Sequence, residues 1–274
     1  MVEFTTVVGI DARTVEQFRW SSPTWKKYRP EMWDRPWLFF FDRAALDIKQ
    51  VIAVVRDAGL SDAVVGAVPW PTVDVDYPTQ RERMLSGFVH AAQYVGTPWW
   101  LKVDTDAVAL GPADWAPSAW FERDPDADNP PDAFYAAGYN VWIASAWGYT
   151  KPADQMARLD DWADGVPELA DFRRLDLPYT PGGRRCRHPR MASWVSFYRT
   201  DWTRWAAGLC RESLGPDRVP VPSQDGFHWY VAARRNELGL RASMRKRNWT
   251  NCPKLAGLVR TATAAMAEPQ TLAE

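Results

Sequence analysis

The sequence predicts an α/β fold, with a mostly parallel central sheet flanked by helices in a single domain. Three observations carry this. Strand-like and helix-like segments alternate through the first two-thirds of the 274 residues. The run WLFFF (37–41) is apolar throughout, as a strand covered on both faces must be. No internal repeat or linker interrupts the pattern, and the length suits one sizeable core.

The elements read in order as follows. FTTVVGI (4–10) is a strand, and Thr14 with Gln17 forms a T-x-x-Q capping box opening a short helix. WLFFF is the second strand. AALDIKQVIAVVRDA (44–58) has apolar residues at helical spacing, and Gly59 is placed to cap it. AVVGAV (63–68) is the third strand. A second capping box, Thr79 with Glu82, opens a helix over 79–95 that Gly96 closes. The strand WWLKV (99–103) follows. DPDADNPPD (124–132) is an acidic, proline-rich loop, and 133–150 holds one or two strands. A short helix is expected over 153–165, a basic loop over 178–190, a strand over 191–198 and a helix over 200–210. Ser223 caps a helix over 223–239, and LRASMR (240–245) is a last strand. Residues 1–254 form the domain and 255–274 an alanine-rich tail.

Composition excludes several functions. The chain is 46% hydrophobic and 24% charged with a net charge of −1, so it has no bulk attraction to nucleic acid or membrane. The three cysteines (Cys186, Cys210, Cys252) have no C-x-x-C spacing, which points away from zinc sites and disulfide frameworks. A reducing, cytoplasmic setting is expected. No signal peptide and no membrane-spanning run of ~18 apolar residues is seen. The 17 tryptophans are expected mostly in the core.

The chemistry concentrates at WWLKVDTDAV (99–108). A D-x-D triplet is weak by itself: 24 aspartates supply about two by chance, and four occur. Asp124, Asp126 and Asp128 belong to the acidic loop, and Asp74 and Asp76 lie between prolines. Asp104 and Asp106 differ because they come directly off an apolar strand. In open parallel sheets, ligands bind beyond the carboxyl ends of the strands. Two carboxylates there repel each other unless a cation neutralises them, and hard cations such as Mg²⁺ or Mn²⁺ take such oxygens.

This strand–D-x-D element after three β/α units resembles the glycosyltransferases of the GT-A fold, a Rossmann-like architecture in the nucleotide-diphospho-sugar transferase superfamily. The resemblance implies that Asp104 and Asp106 hold Mn²⁺ or Mg²⁺, and through it the diphosphate of a nucleotide-sugar, foremost a UDP-sugar. Asp106 would be the direct ligand, and Asp104 would lie nearer the ribose or a metal-bound water. VPSQDGFHWYVAARR resembles the family's later x-E-D element, with Gln224 where Glu is usual and Asp225 facing the acceptor. RERMLSGFVHAAQYV resembles the segment that brings a basic residue, Arg81 or Arg83, to the diphosphate. Asp11, after the first strand, would meet the ribose or base. One departure stands out: many members add a C-terminal histidine to the metal. Here the histidines are His90, His188 and His228, and none follows the last helix. Substrate and water complete the sphere, or His188 or His228 is recruited.

Asp225 is the candidate general base, against a plain helix-start carboxylate. His228 lies one turn on and either orients it or packs in the core. His90, mid-helix among apolar residues, is read as structural. GGRRCRHPR (182–190) places Arg184 and Arg185 where guanidinium groups suit phosphate, as a closing loop or as a solvated surface. RASMRKRN (241–248) is a second basic cluster.

These readings imply a metal-dependent glycosyltransferase (hexosyl- or related) transferring sugar to a hydroxyl with inversion. The acceptor is a glycan or, through the basic clusters, DNA. Two alternatives stay open. One is a sugar-phosphate nucleotidyltransferase, which wants a glycine-rich basic loop where VVGIDART has only Gly9. The other is a non-catalytic carbohydrate- or nucleic-acid-binding protein.

Overall fold

Strand β1 (Phe4–Ile10) pairs in parallel with β2 (Trp37–Phe41) on one side and β4 (Trp99–Val103) on the other. β3 (Val65–Pro69) continues the sheet beyond β2. The computed structural model describes residues 2–12, 14–42, 46–61, 65–69, 91–111, 134–141, 160–172, 174, 190–213, 230–232, 234–235, 238–242 and 249–251. Helix α1 (Thr14–Tyr28) and a 3₁₀ turn (Pro30–Met32) lead from β1 to β2. Helix α2 (Ile48–Asp57) leads to β3, and a 3₁₀ turn (Ala92–Tyr94) precedes β4. Then come β5 (Ala107–Ala109), β6 (Phe134–Val141), α3 (Pro167–Ala170), β7 (Arg190–Arg199), α4 (Thr200–Ser213), β8 (Leu238–Ala242) and β9 (Trp249–Asn251).

The main sheet runs β3-β2-β1-β4-β7-β6-β8, and β5 and β9 form a separate antiparallel pair. β7 is antiparallel to both β4 and β6, while β8 is parallel to β6. Only β7 therefore runs against the rest, as the mostly parallel expectation requires.

Strand periodicity splits the core into two layers. Phe4, Val8 and Ile10 of β1 and Trp37, Phe39 and Phe41 of β2 face α1 and α2. Val7, Leu38, Phe40 and Trp100 pack on the other side with Tyr198, Trp202, Ala206 and Tyr230. Both faces of the sheet are thus buried. Trp25, Trp37, Trp100 and Trp249 are fully buried, and Trp20, Trp33, Trp99, Trp162, Trp202 and Trp205 are at least partly buried. These indoles are core, as composition alone suggests. Trp25 stacks on Trp37 at 6.4 Å and meets Trp249 edge-on at 5.9 Å, and such pairs are worth about 0.5–1.5 kcal/mol beyond their burial.

Local chemistry moves several boundaries. α1 is longer than its capping signal suggests and carries Pro23 in its interior. α2 starts at Ile48, not at 44, because Asp47 is its cap. The Asp47 carboxylate accepts the Gln50 N–H and the Gln50 side chain accepts the Asp47 N–H, both at 2.9 Å. Gly59 ends α2 with φ 68°, the left-handed conformation expected of a glycine cap. The helix expected over 223–239 stops short, since Leu238 and Gly239 already belong to β8. β5, β9 and α3 are too short for periodicity to reveal. The Thr79–Glu82 capping box, the acidic and basic loops and the 255–274 tail lie outside the described residues.

Candidate functional site

The chain leaves β1 towards β2, yet the sheet continues on β1's other side with β4. The strand order reverses there, and in open α/β sheets ligands bind at the carboxyl edge of such a reversal. Asp11 follows β1 and Asp104 follows β4. The D-x-D turn therefore sits at the sheet's topological switch point, beside the end of the first strand.

The turn's backbone is gripped by one face of α1. Asp104 and Ala107 close it, the Ala107 N–H donating to the Asp104 carbonyl at 3.0 Å. Ser21 Oγ donates to the Thr105 carbonyl at 2.6 Å, and Trp25 Nε1 donates to the Ala107 carbonyl at 2.6 Å. Thr24 Oγ1 accepts the Ala109 N–H at 3.1 Å, and Arg29 donates to the Gly111 carbonyl at 2.8 Å. Thr105 Oγ1 donates to Gln17 at 2.9 Å. Gln17, Ser21, Thr24, Trp25 and Arg29 recur at helical spacing and so share one face. Each bond contributes about 1 kcal/mol, and together they fix the turn by its main chain, leaving its acidic side chains to other work. From the other side β9 pairs with β5, setting Asn251 opposite Ala107 and Trp249 opposite Ala109. The Arg29 guanidinium lies 5.3 Å over the Trp249 ring.

The two carboxylates differ. Asp104 forms an ion pair with the ammonium of Lys102, a buried residue of β4. Asp106 has its pKa raised, first by burial and next by the charge of Asp104; its own backbone N–H and Lys102 oppose this. A cation beside Asp106 would relieve both causes. The oxygens suit a hard divalent ion, and two carboxylates leave room for water and phosphate around Mg²⁺ or Mn²⁺. The residues present therefore fit such a metal. Among the described residues no group of three or more His, Cys, Asp and Glu gathers, so no further protein ligand of those types is seen there.

Of the residues singled out from sequence, Asp11, Asp104 and Asp106 lie on one edge. Asp11 has a structural duty that corrects the capping reading. Its carboxylate accepts the Thr14 N–H at 2.8 Å while Thr14 Oγ1 accepts the Asp11 N–H at 2.7 Å. Asp11 is thus the cap of α1, and Gln17 is spent on Thr105 instead of a capping box. Arg81, Arg83, Arg184, Arg185, Asp225, His228, His90 and His188 lie outside the described residues. Sequence reasoning missed Lys102, the α1 grip and β9. A lysine inside WWLKV was the legible signal for the first; polar residues at spacing four and eight in α1 were the signal for the second.

No protein-family model and no curated protein sequence matches this chain. Solved structures do. The core-mannan synthase A of Aspergillus fumigatus, in its Mn/GDP form, aligns over 92% of this chain and 75% of its own, with 10% identity and a TM-score of 0.54. A mannosyltransferase of S. cerevisiae in complex with GDP aligns over 92% and 73%, with 9% identity and a TM-score of 0.50. The likeness is one of fold: the chain has the GT-A fold of nucleotide-sugar transferases.

Proposed function

We propose that the protein is a metal-dependent glycosyltransferase that moves a sugar from a nucleotide-diphospho-sugar to an acceptor hydroxyl. The observation that supports this is the D-x-D turn, held by its backbone where the strand order reverses, directly after β4 of a GT-A sheet. Asp104 and Asp106 would hold Mn²⁺ or Mg²⁺, which when bound neutralises the leaving diphosphate. The nucleoside lies over the ends of β1 and β4, with Asp11 beside the ribose. Arg81 or Arg83, and Arg184 and Arg185, supply guanidinium groups for the diphosphate as charge develops on it. Asp225 takes the proton from the acceptor hydroxyl, which implies inversion at the anomeric carbon. His228, one helical turn on, orients Asp225 or joins the metal. The core-mannan synthase and the mannosyltransferase structures were solved with GDP, so GDP-sugars stand beside UDP-sugars as donors to try. The acceptor favoured is a glycan. Among the described residues, no helix is long and apolar enough to cross a membrane.

The test is turnover with a panel of nucleotide-sugars and Mn²⁺. Asp225→Asn is expected to lower transfer by about 10²–10⁴-fold while donor binding persists. NMR of the product should show the inverted anomer. A retained anomer, or full transfer by the variant, would remove Asp225 as the base. Pyrophosphate release from a nucleoside triphosphate and a sugar phosphate would instead identify a nucleotidyltransferase.

A further inference from the structure

Thr105, the residue between the two aspartates of the D-x-D turn, is only 4% exposed. Its carbonyl and its hydroxyl are both tied to α1. The carbonyl accepts from Ser21 Oγ at 2.6 Å, and Thr105 Oγ1 donates to the Gln17 amide oxygen at 2.9 Å. Gln17 and Ser21 are one helical turn apart, so the two bonds leave the same face of the helix. The peptide before Thr105 is held as well, through the Asp104 carbonyl that accepts the Ala107 N–H at 3.0 Å. A residue held only by its flanking carbonyls can still rotate between them and swing the side chains on either side. Threonine is stiff at χ1, so a bonded hydroxyl also fixes the backbone it hangs from. The start of the helix is itself fixed, because Asp11 and Thr14 cap α1 directly after β1.

We infer that Gln17 and Thr105 are positioning residues: their side-chain bond stops rotation of the turn's middle residue and so sets the direction in which Asp104 and Asp106 leave it. Neither residue touches the reacting atoms. The bonds from Ser21, Thr24 and Trp25 go to main-chain atoms and fix where the turn lies. The bond from Gln17 goes to a side chain and fixes how the turn is rotated. This inference rests on the metal reading of the site.

The test is the binding of Mn²⁺ alone, followed by loss of the free-ion EPR signal. Thr105→Val keeps the shape and removes the hydroxyl; it should weaken binding by about 10-fold. Thr105→Ser keeps the hydroxyl and should bind within about threefold of wild type. Gln17→Met removes the acceptor and should match Thr105→Val, and the double variant should be no weaker than either single one. Independent contacts would instead multiply the losses, to about 100-fold. Trp33→Phe is the control: it removes the hydrogen bond from Trp33 Nε1 to the Ala58 carbonyl, away from the turn, and should bind Mn²⁺ as wild type does. Wild-type affinity in Thr105→Val or Gln17→Met, no recovery in Thr105→Ser, multiplied losses in the double variant, or an equal loss in Trp33→Phe would overturn the inference while leaving a metal site in place. If Thr105→Val does not fold, Gln17→Met decides alone, since Gln17 is only half-buried. Wild-type protein that binds no Mn²⁺, or an Asp106→Asn variant that binds it equally well, would remove the metal reading and this inference together.

Discussion

Two acidic clusters in this protein are treated in opposite ways. Asp160 and Asp164, on the helical residues 160–164, are satisfied by protein cations. Arg234 donates to Asp160 at 2.7 Å and pairs with Asp164, and Tyr230 donates to Asp160 at 2.7 Å. Arg174 adds bonds to Asp164 at 2.7 Å and to Asp161 at 2.9 Å. At the D-x-D turn the protein instead spends most of its hydrogen bonds on the backbone and brings two carboxylates close, with a buried lysine paired to Asp104. The electrostatics follow. The Asp164 pKa is lowered, first by the hydrogen bond from Arg174 and then by that from Arg234, whereas the Asp106 pKa is raised.

The contrast breaks most visibly in activity. Asp106→Asn should lower transfer by about 10²–10³-fold, the scale of losing charge stabilisation on a leaving group, with the fold intact by circular dichroism. In the other cluster Arg234→Met removes the buried cation that donates to Asp160 and pairs with Asp164. It should cost about 3–5 kcal/mol in denaturant unfolding, with Mn²⁺ affinity of the folded protein unchanged. Next is the grip on the turn: Trp25→Phe removes the donor to the Ala107 carbonyl and should cost about 1–2 kcal/mol, while also weakening Mn²⁺ binding. Asp160→Asn shares none of that last effect, which separates the two regions.

The smallest effects have opposite signs with pH. For Asp106 the folded state holds its proton more tightly than the unfolded chain. Stability therefore falls as pH rises from the ordinary carboxylate range through the raised value, and the full cost persists at neutral pH. Asp106→Asn should raise the metal-free Tm at pH 7 by roughly 1–3 °C and lose that gain in acid. Asp164 is the reverse: its pairing stabilises at neutral pH and fades as pH falls through the lowered value. Asp164→Asn should lower Tm slightly at pH 7, with the deficit vanishing in acid; solvent screening keeps it small. Paired melts across this range check both.

The placement of the D-x-D was legible because WWLKV is an apolar strand in an alternating pattern, and β4 occupies residues 99–103 as read. What surrounds it was not. The bonds from α1 to the turn join residues 82–88 apart in sequence, and such long-range contacts leave no local periodicity. Thr14 and Gln17 carried a legible capping signal, yet tertiary contacts redistributed it: Asp11 caps with Thr14, and Gln17 serves Thr105. β5 and β9 have three residues each and exist only as each other's partner. Asp160 meets Tyr230 and Arg234 across 70 or more positions, so its pairing is invisible until the chain folds.

The central claim, that the D-x-D turn holds a divalent metal and with it a nucleotide-sugar, meets its most direct test in a thermal-shift screen. Wild-type and Asp106→Asn proteins are melted with GDP- and UDP-sugars, with and without Mn²⁺. A ligand that binds only the folded state raises Tm, by an amount set by its concentration over Kd. The account predicts that one nucleotide-sugar raises the wild-type Tm only when Mn²⁺ is present, and that Asp106→Asn abolishes the rise. A shift of the same size without metal, or in the variant, or no shift with any donor, would contradict it.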